Sequence, residues 1–131
     1  MDYLEREQIE QNRLPGRVIQ NAVGSSKRGY PVPSAKMTIC FAHYSAESGP
    51  MEPHNHAEET VVVLSATDSF VKWGGSKEDL PHKQMLNAGD VMHFPELEWH
   101  VFGYNEGGSL DALCIYGQVD NIRPEEIEIR K

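Results

Sequence analysis

Short runs in which apolar and polar residues alternate dominate the chain, and this period of two is typical of β-strands with one buried face. In residues 37–44, Met37, Ile39, Phe41 and His43 alternate with smaller or more polar side chains. We expect this larger, mainly apolar set to face the core. Further strands are predicted at 18–20, 60–66, 69–73, 84–87, 91–94, 99–104 and 110–117.

Turn-forming residues separate these runs. Thr67 and Asp68 predict a tight turn between two strands, and the Asn-Glu-Gly-Gly sequence at 105–108 predicts a hairpin. The polar first fourteen residues, with widely spaced apolar positions, indicate a short helix that ends at Pro15 and Gly16. The charged C-terminal end is predicted to be an edge strand or a mobile tail.

Eight short strands and almost no helix predict an all-β fold, an antiparallel sandwich or barrel. A length of 131 residues suits one domain with its own core. We divide the chain into an N-terminal extension with one strand at 1–35, a barrel at 36–118 and a C-terminal tail at 119–131.

Composition and charge limit the partners. The formal net charge is -8 and no dense lysine or arginine cluster is present, so the sequence argues against nucleic acid and anionic membrane surfaces as partners. No apolar run approaches the roughly 18 residues that span a bilayer, and the charged N-terminus is unlike a signal peptide. We therefore expect a cytoplasmic protein. Cys40 and Cys114 are expected to be buried thiols, with a disulfide as the alternative.

The candidate chemistry begins at His54. Along an extended segment His54 and His56 project from the same face, and Glu58 and Glu59 follow directly. Imidazoles with a carboxylate form facial sites for divalent transition metals that leave positions open for substrate or water. The alternative is a solvated polar turn. A second block, from Gly89 to His100, ends in another histidine and makes the metal site the better interpretation.

Together the two blocks resemble the paired motifs of the cupin superfamily. Gly49, His54, His56 and a glutamate match the first motif, although only four residues separate Gly49 from His54. The second motif is matched by Gly89, Pro95 and His100 with its spacing intact. The chain departs from the motifs at three positions. Leu97 and Ala66 replace glycines, and Asn105 lies one residue farther from His100 than the usual asparagine. Turns there must form without the freedom of glycine at positive φ.

The resemblance implies a small single-domain cupin, an antiparallel double-stranded β-helix or jelly-roll barrel. It also implies one divalent transition metal, Fe, Mn, Ni, Co or Zn, held by His54, His56, His100 and a glutamate. We assign the glutamate as Glu59, because it shares a strand face with Val61 and Val63, and keep Glu58 as the alternative.

Several functions remain open, because cupins include dioxygenases, decarboxylases, lyases, isomerases and binding proteins. We expect oxygenase-like or lyase-like chemistry on a small organic molecule, with His43 as a tentative catalytic residue at the barrel mouth. The alternatives are a non-catalytic metabolite-binding or metal-binding protein and a metal-dependent sugar isomerase or epimerase. The resemblance also implies a homodimer. The aromatic residues that could line a ligand pocket or fill the core are Trp73, Trp99, Phe102, Tyr104 and Tyr116.

Overall fold

The alternating segments form an eight-stranded sheet that contains almost all of the regular structure. We describe a computed structural model, which covers the backbone of residues 1–130 and the side chains of residues 1–127. The strands are β1 Asn12–Leu14, β2 Arg17–Gly24, β3 Val32–Pro33, β4 Thr38–Ser45, β5 Glu59–Gly74, β6 His82–Met85, β7 Val91–Phe94 and β8 Trp99–Tyr116. Short 3-10 turns lie at Arg6–Gln8, Ser26–Arg28 and Ala46–Ser48, and one helix, α1, at Pro124–Arg130. The predicted all-β fold is confirmed.

The sheet order is β1-β2-β4-β8-β5-β6, with β3 on β2 and β7 on β5. All pairings are antiparallel except that of β2 with β3. The beginning of β5 pairs with β7 and its end with β6, while β8 pairs along most of the length of β5. This arrangement wraps the sheet around a core in the manner of a jelly-roll barrel.

The predicted turn at Thr67 and Asp68 and the predicted hairpin at 105–108 are wrong, because β5 and β8 continue through them. The two turn-forming stretches lie against each other: Thr67 pairs with Ser109, and the Asn105 amide donates to the Asp68 carboxylate at 2.8 Å. Asp68 has a φ of 46°, and the register shifts beside it. The turn residues therefore make a shared bulge that bends two long strands, not two chain reversals.

The prediction for the faces of β4 is also wrong. Cys40, Ala42 and Tyr44 are buried in the core, whereas Phe41 and His43 lie on the outer face and are only half-buried. Small side chains suit the inner wall of a narrow barrel. The outer face is covered instead by the N-terminal segment, whose Arg6 guanidinium lies 4.2 Å from the centre of the Phe41 ring.

Both chain ends differ from their predicted structures. The N-terminal stretch forms a single 3-10 turn and the strand β1, not a helix. The C-terminal end is the helix α1, not an edge strand or a mobile tail, and Ile127 is fully buried. Pro124 at its start and Glu125 and Glu126 in its first turn favour a helix at this point. Lys131 lies outside the described residues.

The two cysteines face each other directly across β4 and β8, and both are buried free thiols, as predicted. Contact with Cys40, together with burial, raises the pKa of the Cys114 thiol well above its usual value. The Cys114 thiol is therefore protonated at neutral pH, and both cysteines pack as small side chains in the core.

An ion-pair cluster holds the N-terminal segment on the outer face of the barrel. Both Arg6 Nη atoms donate to the Asp111 carboxylate at 2.7 Å, and His43 Nδ1 lies 3.1 Å from the same carboxylate. The Gln20 amide donates to the Arg6 and Ile9 carbonyl groups. Burial alone would raise the pKa of Asp111, but the hydrogen bonds from Arg6 and His43 outweigh it and lower this pKa. The carboxylate is therefore stabilised in its charged form.

The Asp111→Asn substitution should lower the free energy of unfolding at pH 7 by about 1 to 3 kcal/mol, because it breaks a bidentate charge-assisted contact. The folded-state pKa of Asp111 is lowered, so the stabilisation is present above the unfolded-state pKa of about 3.9 and disappears as the pH falls through the folded-state value. Urea unfolding at pH 7 and at acid pH measures this difference. The exposed Asp120→Asn variant is the control, and equal stability of Asp111→Asn and wild type at pH 7 would contradict the prediction.

Candidate metal centre

The three motif histidines converge at one end of the barrel. His54 forms an isolated antiparallel bridge with His100 near the start of β8, and each backbone N–H donates to the other residue's carbonyl at 3.0 Å. One ring nitrogen from each of His54, His56 and His100 lies within 4.8 Å of the other two. The ring centres are 4.4 to 5.4 Å apart. The two sequence blocks thus form one site.

A strained turn locks the second block against the first. Leu97, which stands where cupins carry glycine, has a φ of 67°. Its N–H donates to the His56 carbonyl at 2.8 Å, and its carbonyl accepts from the Asn55 amide at 3.2 Å. These two bonds offset the strain of a leucine in the left-handed region, which costs about 1 to 3 kcal/mol. The turn therefore keeps the glycine conformation without the glycine.

Each histidine is oriented by a backbone carbonyl. The Nδ1 atoms of His54, His56 and His100 lie 3.2, 2.8 and 3.0 Å from the carbonyl oxygens of Glu52, Ala57 and Glu98. A carbonyl only accepts, so Nδ1 carries a proton in all three rings and Nε2 is the nitrogen left to bind a ligand. This is the tautomer that binds a metal through Nε2, with the other ring nitrogen held by the protein.

His100 is the most deeply buried of the three, with 1% of its surface exposed. The Phe94 ring stacks on it at 4.0 Å, and its Nε2 has no hydrogen-bond partner among the side chains of residues 1–127 or the backbone of residues 1–130. Burial, followed by the neighbouring histidines, lowers the pKa of His100 to about 2, and burial and His56 lower that of His54 to about 4. Both rings are therefore neutral at physiological pH, as metal ligands must be.

The two glutamates lie on opposite faces of the strand. Glu59 is 4% exposed and shares the inner face with Val61 and Val63, which confirms the predicted facing. Its carboxylate Oε1 lies 3.4 Å from His56 Nε2. Glu58 points outward, with 63% of its side chain exposed, and its carboxylate lies 2.7 Å from His93 Nε2. Only Glu59 is on the side of the histidines.

Glu59 is held by residues whose role the sequence did not predict. The Tyr116 hydroxyl and the Cys114 thiol lie close enough to its carboxyl group to lower its pKa, although by less than burial raises it. Burial raises the pKa of Glu59, although the nearby His56 opposes this rise. The sequence indicates Tyr116 only as a core or pocket residue. Its position two residues beyond Cys114 on one strand face was the signal for this contact.

The other three histidines, His43, His82 and His93, lie outside this centre. His43, predicted as a catalytic residue at the barrel mouth, lies on the outer face of β4 beside Asp111, because the face that carries it is not the lining of the barrel. His93 Nδ1 lies 2.8 Å from the Thr60 hydroxyl oxygen, and His93 Nε2 lies 2.7 Å from the Glu58 carboxylate. Of the aromatic residues, Phe102 belongs to the buried core, and Trp73 and Tyr104 pack against it.

The donor set fits a divalent transition metal. Three imidazoles converge here, one of them with a buried Nε2 that has no hydrogen-bond partner among the described side chains, and a carboxylate lies beside them. A buried polar nitrogen without a partner is rare in native proteins and calls for an explanation such as an ion. Imidazole and carboxylate ligands suit Fe(II), Mn(II), Ni(II), Co(II) and Zn(II).

No protein-family model matches the chain, and no curated protein matches it. Solved structures do. The polyketide cyclase RemF from Streptomyces resistomycificus is 18% identical, and the match covers 88% of this chain and 78% of the cyclase with a TM-score of 0.66. A cupin-like protein from Thermotoga maritima is 18% identical, with coverage of 91% and 83% and a TM-score of 0.61. The chain has a cupin-like fold.

Hydroxypropylphosphonic acid epoxidase from S. wedmorenis is a third similar structure, 16% identical with a TM-score of 0.63. The match covers 88% of this chain but 58% of the epoxidase, so this chain corresponds to just over half of that enzyme. At such low identity these similarities establish the fold alone. Within residues 1–130, no helix has the length and apolar content needed to cross a membrane.

If His100 is present to bind a ligand, its removal should not harm the metal-free protein. We expect His100→Phe to unfold at the same or a higher free energy, by up to about 2 kcal/mol, because it removes a buried nitrogen without a partner beside Phe94 and Phe102. Chemical denaturation of metal-free protein measures the change. A loss of more than about 2 kcal/mol would identify His100 as a structural core residue instead.

Proposed function

We propose that this protein binds one divalent transition metal through His54, His56, His100 and Glu59 and acts on a small organic molecule at that metal. The observation that carries the proposal is the buried Nε2 of His100, which has no hydrogen-bond partner among the described side chains, in a ring that shares with His54 and His56 a group of nitrogens within 4.8 Å of one another. A core histidine kept for stability would have both ring nitrogens satisfied.

The similar structures support a metal-dependent reaction on a small molecule. One is described as a polyketide cyclase and another as hydroxypropylphosphonic acid epoxidase, which has been crystallised with Fe(II). Both names denote chemistry on small organic substrates. This suggests an oxygenase-like or lyase-like reaction here, with Fe, Mn, Ni, Co or Zn as the metal.

The chain's own residues define what the site contributes. A bound metal would act as a Lewis acid with open positions for substrate. The three backbone carbonyls fix the imidazole rings before any ligand arrives, so little reorganisation is needed on binding. Phe94, stacked on His100, excludes water from one side of the centre. Glu59 brings its carboxyl group to within 3.4 Å of His56 Nε2, where the ionised form would complete the ligand set.

The apolar inner wall favours this proposal over a sugar isomerase. Val61, Val63 and Phe94 line the strands beside the histidines and are buried. A carbohydrate would require polar groups there to satisfy its hydroxyls. A non-catalytic binding protein with the same metal is the remaining alternative, and turnover of a bound substrate distinguishes the two. A homodimer and a cytoplasmic location remain predictions.

Metal content tests the proposal most directly. The purified protein should contain about one transition-metal ion per chain by elemental analysis, and the His54→Ala, His56→Ala double variant should lose it, because two of its imidazole ligands are gone. His93→Ala, which changes a histidine on the outer face, is the matched control and should keep its metal. Unchanged metal content in the double variant would refute the histidine site.

The two adjacent glutamates provide a second test. We expect Glu59→Gln to weaken metal affinity by at least about tenfold, whereas Glu58→Gln should leave it within about twofold, because only Glu59 faces the histidines. Competition with a chromophoric chelator gives both affinities. Equal effects of the two substitutions, or a larger effect at Glu58, would overturn the assignment of Glu59.

A further inference from the structure

Arg17, the first residue of β2, lies on the strand face that points into the barrel. Ile19, two residues later, packs against the core and is the register partner of the fully buried Ala42. Because strand faces alternate, Arg17 shares this inner face, and its neighbour along β4 is the buried Tyr44. The intervening Val18 pairs instead with the outward-facing His43.

The turn before Arg17 is fixed against the segment that leads to His54. The Gly16 N–H donates to the Ser48 carbonyl at 2.8 Å, and Gly16 has a φ of 84°. A Cβ at this position would lie 2.9 Å from Met51 Cα, so only glycine allows the close approach. This contact places the start of β2 at the histidine end of the barrel.

The charge of Arg17 reaches the candidate centre. Its positive charge lowers the pKa of His54, Glu59 and Tyr44, in each case as a smaller contribution than burial. Three side chains on the inner face therefore lie within the electrostatic range of one guanidinium. This agrees with the position that the register and the glycine contact give to Arg17.

Most of the hydrogen-bonding capacity of this guanidinium is unused. Arg6 and Arg28 form ion pairs with Asp111 and Glu126. Among the side chains of residues 1–127, Arg17 forms no such pair, and its one hydrogen bond goes to the nearby Pro15 carbonyl at 3.2 Å. The chain carries a net charge of -8, so a half-buried arginine without a carboxylate partner is unexpected on this protein.

We propose that Arg17 binds the anionic group of a small organic acid, a carboxylate or a phosphonate, whose reacting end lies at the histidine centre. This inference rests on the proposed function and names its substrate class. A guanidinium presents paired donors that match two oxygens of such a group, which fixes orientation as well as supplying charge. Arg17 is thus a specificity-determining residue, and the apolar wall contacts the rest of the molecule.

Calorimetric titrations of the manganese-loaded protein test this proposal with three probes, glycolate, methylphosphonate and the neutral glycolamide. Arg17→Met should weaken binding of at least one anion about tenfold or more, because it removes a charge-assisted contact, and should leave glycolamide unchanged. Arg13→Met is the matched control on the exposed side of the same β1–β2 hairpin and should stay within about twofold of wild type. Arg17→Lys should retain part of the affinity.

Several results would overturn the role of Arg17. One is a wild-type protein that binds neither anion. Another is an equal loss of anion affinity in Arg17→Met and Arg13→Met. A third is a loss of glycolamide affinity in Arg17→Met as large as the loss of anion affinity.

Elemental analysis of each variant separates the two proposals. Intact metal with unchanged anion affinity in Arg17→Met removes the proposed role of Arg17 alone, whereas a wild-type protein that binds no metal at the histidines removes the proposed function. Lower metal affinity in Arg17→Met without lost anion selectivity would mean that Arg17 only supports Glu59.

Discussion

The candidate centre depends on one backbone interaction, the reciprocal pair of hydrogen bonds between His54 and His100. These residues are 46 positions apart in the sequence. The bridge sets the spacing of the two rings, and the Leu97 turn then adds His56 through its own bond to the His56 carbonyl. The site is thus assembled by main-chain contacts, which side-chain substitutions leave in place.

Several features of the candidate centre lower the free energy of unfolding. Buried His100 keeps an unpaired nitrogen, Glu59 keeps a carboxyl group in a buried position, and Leu97 keeps a strained backbone. Each feature is unfavourable by about 1 to 3 kcal/mol when taken alone. All three occur at one end of one barrel. Such clustering is expected of a site preorganised for a ligand and is not expected of a core selected for stability.

Local alternation allowed several features to be predicted from the sequence. It placed His54 with His56, separated Glu59 from Glu58, and located the beginning of most strands. It failed where tertiary contacts decide. Thr67 and Asp68 are turn-forming residues, as are residues 105–108. Because the two stretches lie against each other on β5 and β8, they form one bulge and not two turns. The predicted buried and outer faces of β4 are exchanged in the structure, because alternation shows which side chains share a face but not which face is buried. Arg6 covers Phe41 from a distant segment, which the local pattern does not reveal.

The N-terminal extension has two distinct relations to the barrel, and neither can be inferred from its own sequence. Arg6 lies outside, where Asp111 of β8 binds it, and Arg17 lies on the inner face near the histidine end. The same β8 strand also carries His100 near its start and Cys114 and Tyr116 near its end, where both influence the pKa of Glu59. One long strand therefore joins the outer ion pair to the inner centre.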